Sequence, residues 1–274
     1  MAETAAEKVL FEVEGLIGII TLNRPHKLNA LDRDVWERIC AVAFELPGSG
    51  VRAAILTGAG DKAFCAGLDL KPEKIPIPGS PKESSDAAWL RFYHDHVVSL
   101  RLMFDQLETC PIPVIAAING YCLGGALELA LCCDIRLCSD DAVFSIPETA
   151  IGIVPDMGGT QRLPRVVGIG KAKELIFSGR KIKADEALRI GLVEHVYPKA
   201  ELMKEAKQLA AEIAKNAPLV VQASKRAINL SQNTPLSVGL QQESLLASTC
   251  LISQDSKEGL LSFALKKEPD YKGK

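Results

Sequence analysis

Through about the first 200 residues, short β-branched segments alternate with stretches of helical periodicity, and this alternation constrains the fold more than anything else in the chain. VLFEVEGLIGIITL (9–22) reads as a hairpin or two short strands around a central glycine. NRPHKLNALD follows as a loop, and Asp32 is placed to cap a helix over DRDVWERICAVAFEL. VRAAILTGAG (51–60) is a short buried strand that ends in a glycine turn. PVIAAINGYCLGG (113–125) reads as another strand, and DIRLCSDDAVFSIPE (134–148) as a strand, a turn and a second strand.

Two regions depart from this rhythm. KPEKIPIPGSPKESSD (71–86) holds four prolines and little periodicity, the pattern of a mobile surface flap, and DAAWLRFYHDHVVSLRLMFDQLE resumes as a helix. From about residue 199 the pattern is helical throughout. The expected organisation is therefore an α/β core over residues 1–198 and a helical module over 199–274. A length of 274 residues suits one large domain, or one domain with an appendage.

Composition removes several classes of function. Hydrophobic residues make up 47% and charged residues 24%, a globular profile, and no apolar run approaches the length of a membrane span. Net charge is −2 with no basic stripe, which argues against nucleic acid. The eight cysteines form no CxxC pair and most lie in apolar segments, so buried thiols in a reducing compartment are expected rather than disulfides or zinc. MAETAAEKVL lacks a signal-peptide core and DYKGK is not a peroxisomal ending, which makes the cytoplasm the expected location.

Among short motifs, TGAGDKA (57–63) imitates a dinucleotide fingerprint at Gly58, Gly60 and Ala63, but the helix such a site requires is missing, and a tight turn is expected. There is no GxSxG elbow and no GxxxxGK[ST] loop. His94 and His96 fall on different faces of their helix, which suits solvated histidines better than a metal site. CAGLDL (65–70) and CLGGALEL (122–129) each put small residues at a strand end, where a ligand can approach the backbone. One N–H from each would make a hole for a developing oxyanion, although glycine turns of this kind are also common as plain structure.

Glu128 stands inside GYCLGGALELALCCD, an otherwise small and apolar run, where an unpaired carboxylate is costly. Glu148 follows Pro147 in SIPETAIGIVPDMGGTQRLPR, and Asp156 lies in the same stretch. Taken alone, Glu148 could be a surface carboxylate and Asp156 a helix cap before MGGTQRL. A buried carboxylate with another nearby would instead have its pKa separated from its neighbour's, which provides one acid and one base.

NRPHKLNAL, ILTGAGDKAFCAGLDL, PVIAAINGYCLGGALELALCCDIRLCSDDAVFSIPETAIGIVPDMGGTQRLPRVVG and ADEALRIGLVEHV resemble, in order and spacing, the enoyl-CoA hydratase/isomerase (crotonase) family. The likeness runs from about residue 8 to the C-terminus. It implies a spiral of ββα repeats with a C-terminal helical trimerisation module, trimers often pairing into hexamers, and an acyl-CoA thioester as substrate. It also implies an oxyanion hole at the N–H groups of Leu68 and Gly125. Ala66 and Asp69 would lie beside the pantetheine and the loop from Lys27 through Asn29 to Ala30 against the nucleotide end, with Leu70 and Gly124 completing the substrate contacts.

Hydratases of the family resemble this chain in carrying glutamates at the positions of Glu128 and Glu148. The resemblance thus implies addition of water across the 2,3-double bond of an enoyl-CoA, with Glu128, Glu148 and Asp156 as candidate catalytic groups and no metal or redox cofactor. Asp156 departs from typical hydratases, which have a small residue there. Dienoyl-CoA isomerases have an acidic one and move a proton between the equivalents of Glu148 and Asp156, so isomerisation is the alternative, although those isomerases carry Asp at position 128. Other enolate chemistry on the same scaffold, thioester hydrolysis included, and a non-catalytic binding role also stand as alternatives.

Overall fold

The computed structural model describes residues 4–69 and 86–274. Leu70 and the 71–85 part of the expected flap lie outside the described residues. A single turn, α1 (Ala5–Lys8), leads into the antiparallel hairpin β1 (Val9–Glu14) and β2 (Ile17–Leu22), turned at Gly15 with φ +62°. After a 3-10 turn at Pro25–Lys27 comes α2 (Arg33–Glu45), whose N-cap is Asp32, with its carboxylate accepting the Val35 N–H at 3.1 Å.

From there each repeat supplies one strand to a large sheet and the next to a small one. β3 (Ala53–Gly58), β5 (Val114–Ile118) and β7 (Ile135–Ser139) extend the large sheet in parallel, and β10 (His195–Tyr197) closes it, in the order β1-β2-β3-β5-β7-β10. β4 (Ala63–Cys65), β6 (Tyr121–Leu123) and β8 (Val143–Ser145) form the second sheet with β9 (Ile182–Lys183), which pairs antiparallel to β8. This is the spiral of ββα repeats. The stretch 113–125, read as one strand, is two strands in different sheets. The chain crosses between them at Gly120, where a Cβ would lie 2.4 Å from the Lys62 carbonyl oxygen.

Helices α3 (Asp86–Thr109), α4 (Gly125–Ala130), α5 (Gly159–Val167), α6 (Ile169–Ser178) and α7 (Ala184–Arg189) fill the intervals. The main core joins the two sheets to α2 and α3, with Trp36 stacked on Phe104 at a ring separation of 4.1 Å. A second core covers the other face of the large sheet. There α8 (Leu202–Ala214) presses Leu202, Ala206 and Ala210 onto Ala53, Ile55, Ile115 and Leu137.

Although α8 lies beyond residue 199, it packs as part of the sheet assembly. The helices standing outside it are α9 (Pro218–Ser231), α10 (Leu236–Leu251) and α11 (Gln254–Leu265). The last long helical stretch of the sequence is broken in two by Ser253, whose hydroxyl accepts the Ser256 N–H at 3.0 Å. Lys225 of α9 is buried against the core, paired with Asp134 at 2.7 Å. All eight cysteines are free thiols, six of them buried.

Candidate active site

Glu128 lies on α4 and is 1% exposed, the most deeply buried of the three candidate carboxylates. Its Oε1 accepts two backbone N–H groups, from Met157 at 3.0 Å and Gly159 at 2.7 Å. Gly159 has to be small, because a Cβ there would come within 2.8 Å of that oxygen. Burial pushes the Glu128 carboxyl up to about 8; the Gly159 and Met157 N–H groups oppose this, and the charges of Glu148 and Asp156 add to it.

Glu148 begins the 3-10 turn Glu148–Ile151 and is half-buried. Its Oε2 is shut off from solvent and has no hydrogen-bond partner among the described residues. Burial raises this carboxyl too, with the charge of Asp156 contributing, while the Gly125 N–H lowers it. Gly124 makes room for it: with φ +57°, a Cβ there would stand 2.5 Å from the Glu148 Oε1. The three acidic groups are therefore electrostatic neighbours, as a site built from them requires.

Asp156 is not a helix cap. Gly158, at φ +110°, caps α5, and the Asp156 carboxylate instead accepts the Tyr93 hydroxyl at 3.3 Å. Its pKa is raised by burial, with the Tyr93 bond opposing. Tyr93 comes from α3, where it stacks on Trp89 at 5.3 Å. Arg162 holds the segment from behind: it pairs with Asp105 and Glu108 of α3 and donates to the Met157 carbonyl at 3.1 Å. Neither Tyr93 nor Arg162 was visible from the sequence. A tyrosine 63 positions from its partner, on a helix of mixed periodicity, leaves no local signal.

The two small-residue segments meet as expected. A Cβ on Gly67 (φ +93°) would lie 2.6 Å from the Leu123 carbonyl oxygen and 3.6 Å from the Gly125 nitrogen, and the Leu68 side chain lies 3.8 Å from where a Gly125 Cβ would be. Leu31 and Leu68 form a parallel bridge, in which Leu31 N–H donates to the Gly67 carbonyl at 2.8 Å and Asp69 N–H to the Leu31 carbonyl at 2.9 Å.

Several expected substrate contacts turn inward. Asn29, at φ 57°, is 1% exposed, and its amide is spent inside: Nδ2 donates to the Ala59 and Ala63 carbonyls and Oδ1 accepts the Arg24 N–H. Its side chain is an internal clamp, leaving nothing to offer a ligand. Asp69 pairs with Arg24 at 2.8 Å and with Lys27 at 3.4 Å, and the Arg24 bond holds its carboxyl below the usual range. The Ala66 N–H donates to the Leu28 carbonyl, and the buried Ala30 gives its carbonyl to Arg24. Of the loop residues Lys27 to Ala30, Lys27 alone is charged, and its half-buried side chain lies beside Asp69. Beside this loop a cavity of about 230 Å³ is walled by Pro25, Leu28, Gly60 and Lys62.

The TGAGDKA segment is a turn between β3 and β4, with Gly58 packed against the Phe64 carbonyl where a Cβ would come within 2.4 Å. His94 is exposed and His96 half-buried on α3. The larger cavity, about 890 Å³, lies between the core and the C-terminal helices, away from the paired glutamates. Its half-buried Asp134 and buried Lys225 are paired with each other, so the carboxylate cluster is the better candidate for chemistry.

The fold is thus a spiral of ββα repeats in which two glutamates with raised pKa values lie beside two small-residue strand ends in contact. The enoyl-CoA hydratase/isomerase family model matches residues 12–274, and the chain belongs to that family. It is 42% identical to a short-chain-enoyl-CoA hydratase of Clostridium acetobutylicum, with 95% of each chain covered. It is 38% identical to a crotonyl-CoA hydratase of Syntrophomonas wolfei, over 97% of this chain and 98% of that one. A solved enoyl-CoA hydratase from Bacillus anthracis superposes with a TM-score of 0.89 at 38% identity, covering 97% of this chain and all of that one.

Proposed function

We propose that this enzyme adds water across the 2,3-double bond of a 2-enoyl-CoA. The observation that carries the reading is the convergence of Glu128 and Glu148, each with its pKa raised by burial and Glu128 raised further by the Glu148 charge, beside the Leu68 and Gly125 segments. The thioester oxygen, held by the N–H groups of Leu68 and Gly125, takes up negative charge as water attacks C3. Hydration leaves the proton count of the enzyme unchanged: one carboxylate takes a proton from water and the other gives one to C2. A Glu128 carboxyl that burial holds at about 8, and so keeps largely protonated at neutral pH in the unliganded protein, is suited to be the proton donor, with Glu148 as the base. Neither step changes an oxidation state that a redox cofactor would have to serve, and the peptide hole takes the place a Lewis acid would fill.

A second reading has its own support. Asp156 is half-buried with a raised pKa and acts on Glu148 through its charge, so Glu148 and Asp156 could pass a proton along a conjugated 3,5-dienoyl chain. Two absorbance assays separate the readings. Loss of the crotonyl-CoA enoyl band, slowed about 100-fold or more in both Glu128→Gln and Glu148→Gln, is expected for hydration. Wild-type rates in either variant would refute it. Fast growth of a 2,4-dienoyl chromophore with crotonyl-CoA untouched would move the chemistry to Glu148 and Asp156.

The assembly we propose is a trimer or a pair of trimers. Leu236, Leu245, Ile252 and Phe263 of the C-terminal helices and their junction are exposed apolar side chains that other copies would cover, and light scattering on the purified protein tests this. No helix among the described residues is long and apolar enough to cross a membrane. The eight free thiols favour a reducing compartment, for which we propose the cytoplasm.

A further inference from the structure

We infer that Arg24 is a positioning residue for the oxyanion hole, acting on the Leu68 N–H through two intervening peptide groups. The inference rests on the hydration reading, in which Leu68 supplies one of the two donors.

Arg24 is 3% exposed, an unusual burial for a guanidinium. Its Nη1 donates to the Ala30 carbonyl and its Nη2 to the Asp69 carboxylate at 2.8 Å. The Ala30 carbonyl and the Leu31 N–H are two ends of one amide. That N–H donates to the Gly67 carbonyl at 2.8 Å, and the Gly67 carbonyl shares its amide with the Leu68 N–H. The chain is therefore continuous: guanidinium, Ala30–Leu31 peptide, Gly67–Leu68 peptide, and then the place where the thioester oxygen would sit.

Two consequences follow from peptide chemistry. No described peptide bond is cis, so in each planar amide the N–H points opposite to the C=O. With the Gly67 carbonyl pinned to Leu31, the Leu68 N–H must point away from Leu31 and from the bonds of the bridge. The second consequence is electronic. A cation donating to a carbonyl draws electron density from the amide nitrogen and makes its N–H a stronger donor, and successive bonds in a chain strengthen one another by about 10–30% each.

Arg24 also grips the far side of the same peptide. Its partner Asp69 follows Leu68 directly, and the Asp69 N–H donates to the Leu31 carbonyl at 2.9 Å, so Leu68 is held from both flanks. Asp69 and Asp32, the latter 3.3 Å from Nη2, balance the guanidinium charge. What reaches Leu68 is thus orientation together with a short-range polarisation. Arg24 Nε is buried with no hydrogen-bond partner among the described residues, so the burial of this guanidinium carries the cost of an unmet donor.

The test uses a cinnamoyl-CoA carrying a para-dimethylamino group, a push–pull chromophore whose absorption moves to the red as its thioester carbonyl is polarised. Bound to the wild-type enzyme it should shift to the red, and Glu128→Gln, which leaves both hole donors in place, should keep that shift. Arg24→Gln should lose about half of it and lower kcat on crotonyl-CoA about tenfold with KM within about twofold, because a donor is weakened and misaimed rather than deleted. Arg24→Lys, which keeps a charge but can reach only one of the two partners, should fall between and carries the test if Arg24→Gln does not fold. A lowered Tm with wild-type shift and kcat in the Arg24 variants would make Arg24 merely structural and overturn the inference alone. Absence of any red shift in the wild type would overturn the hole at Leu68, and the inference with it.

Discussion

Replacing Glu128 by Gln should make the protein more stable, and increasingly so as pH rises. In the unfolded chain this carboxyl titrates near 4.5, whereas burial holds it at about 8 in the folded protein. Below the lower value both states keep the proton and the group is indifferent to pH. Between the two values the unfolded chain releases a proton that the folded protein retains, so folding stability falls as pH rises; above about 8 both are ionised and the loss is complete. From about pH 5 to about pH 7.5 this linkage removes about 3 kcal/mol from the wild type.

Glutamine has no proton to lose, and its carbonyl oxygen can still accept the Met157 and Gly159 N–H groups. At about 2–4 °C per kcal/mol for a chain of this size, the Tm advantage of Glu128→Gln should widen by about 6–12 °C over that interval. Thermal unfolding of both proteins across the pH range, at one fixed protein concentration, measures it. A difference in Tm that stays flat with pH would mean that Glu128 is ionised in the folded state, which would remove the protonated donor on which the mechanism depends.

Other substitutions probe separate parts of the site. Gly67→Ala puts a Cβ 2.6 Å from the Leu123 carbonyl oxygen at a φ of +93°, so Tm should fall and kcat on crotonyl-CoA should drop by about 100-fold or more as the two hole segments are forced apart. Asn29→Ala empties a clamp that satisfies the Arg24 N–H and the Ala59 and Ala63 carbonyls, and urea denaturation should show a loss of about 2–4 kcal/mol. Asp156→Asn should leave crotonyl-CoA hydration within about fivefold of wild type, since that carboxylate is not one of the pair, and a loss of about 100-fold would instead make it essential to the turnover.

The parts legible from sequence were those in which a residue conflicts with its own neighbours. Glu128 in an apolar run announced a buried carboxylate, and Gly124 beside Gly125 announced a backbone approached closely by something, here the Glu148 side chain. Alternating β and α segments led to the α/β core because strand and helix periods are local, whereas the spiral arrangement of that core came from the family resemblance. Which sheet a strand joins is not local, and so the crossing at Gly120 was missed, although a glycine inside an apolar run was its one visible trace. The cap reading weighed for Asp156 fails for the opposite reason: an Asp just ahead of two glycines satisfies the local rule for a cap, yet Gly158 can itself turn the chain at φ +110°, which frees the carboxylate for Tyr93. The Lys27 to Ala30 loop was placed at the nucleotide end of the ligand by the family resemblance alone; its internal role, in which Asn29 and the Ala30 carbonyl hold the loop and, through Arg24, the peptide before Leu68, left no local signal. Residues such as Arg24, Tyr93 and Arg162 are anchored in part by partners distant in sequence, Asp69, Asp156 and Glu108. A site of this kind is therefore legible in its reacting groups before it is legible in what aims them.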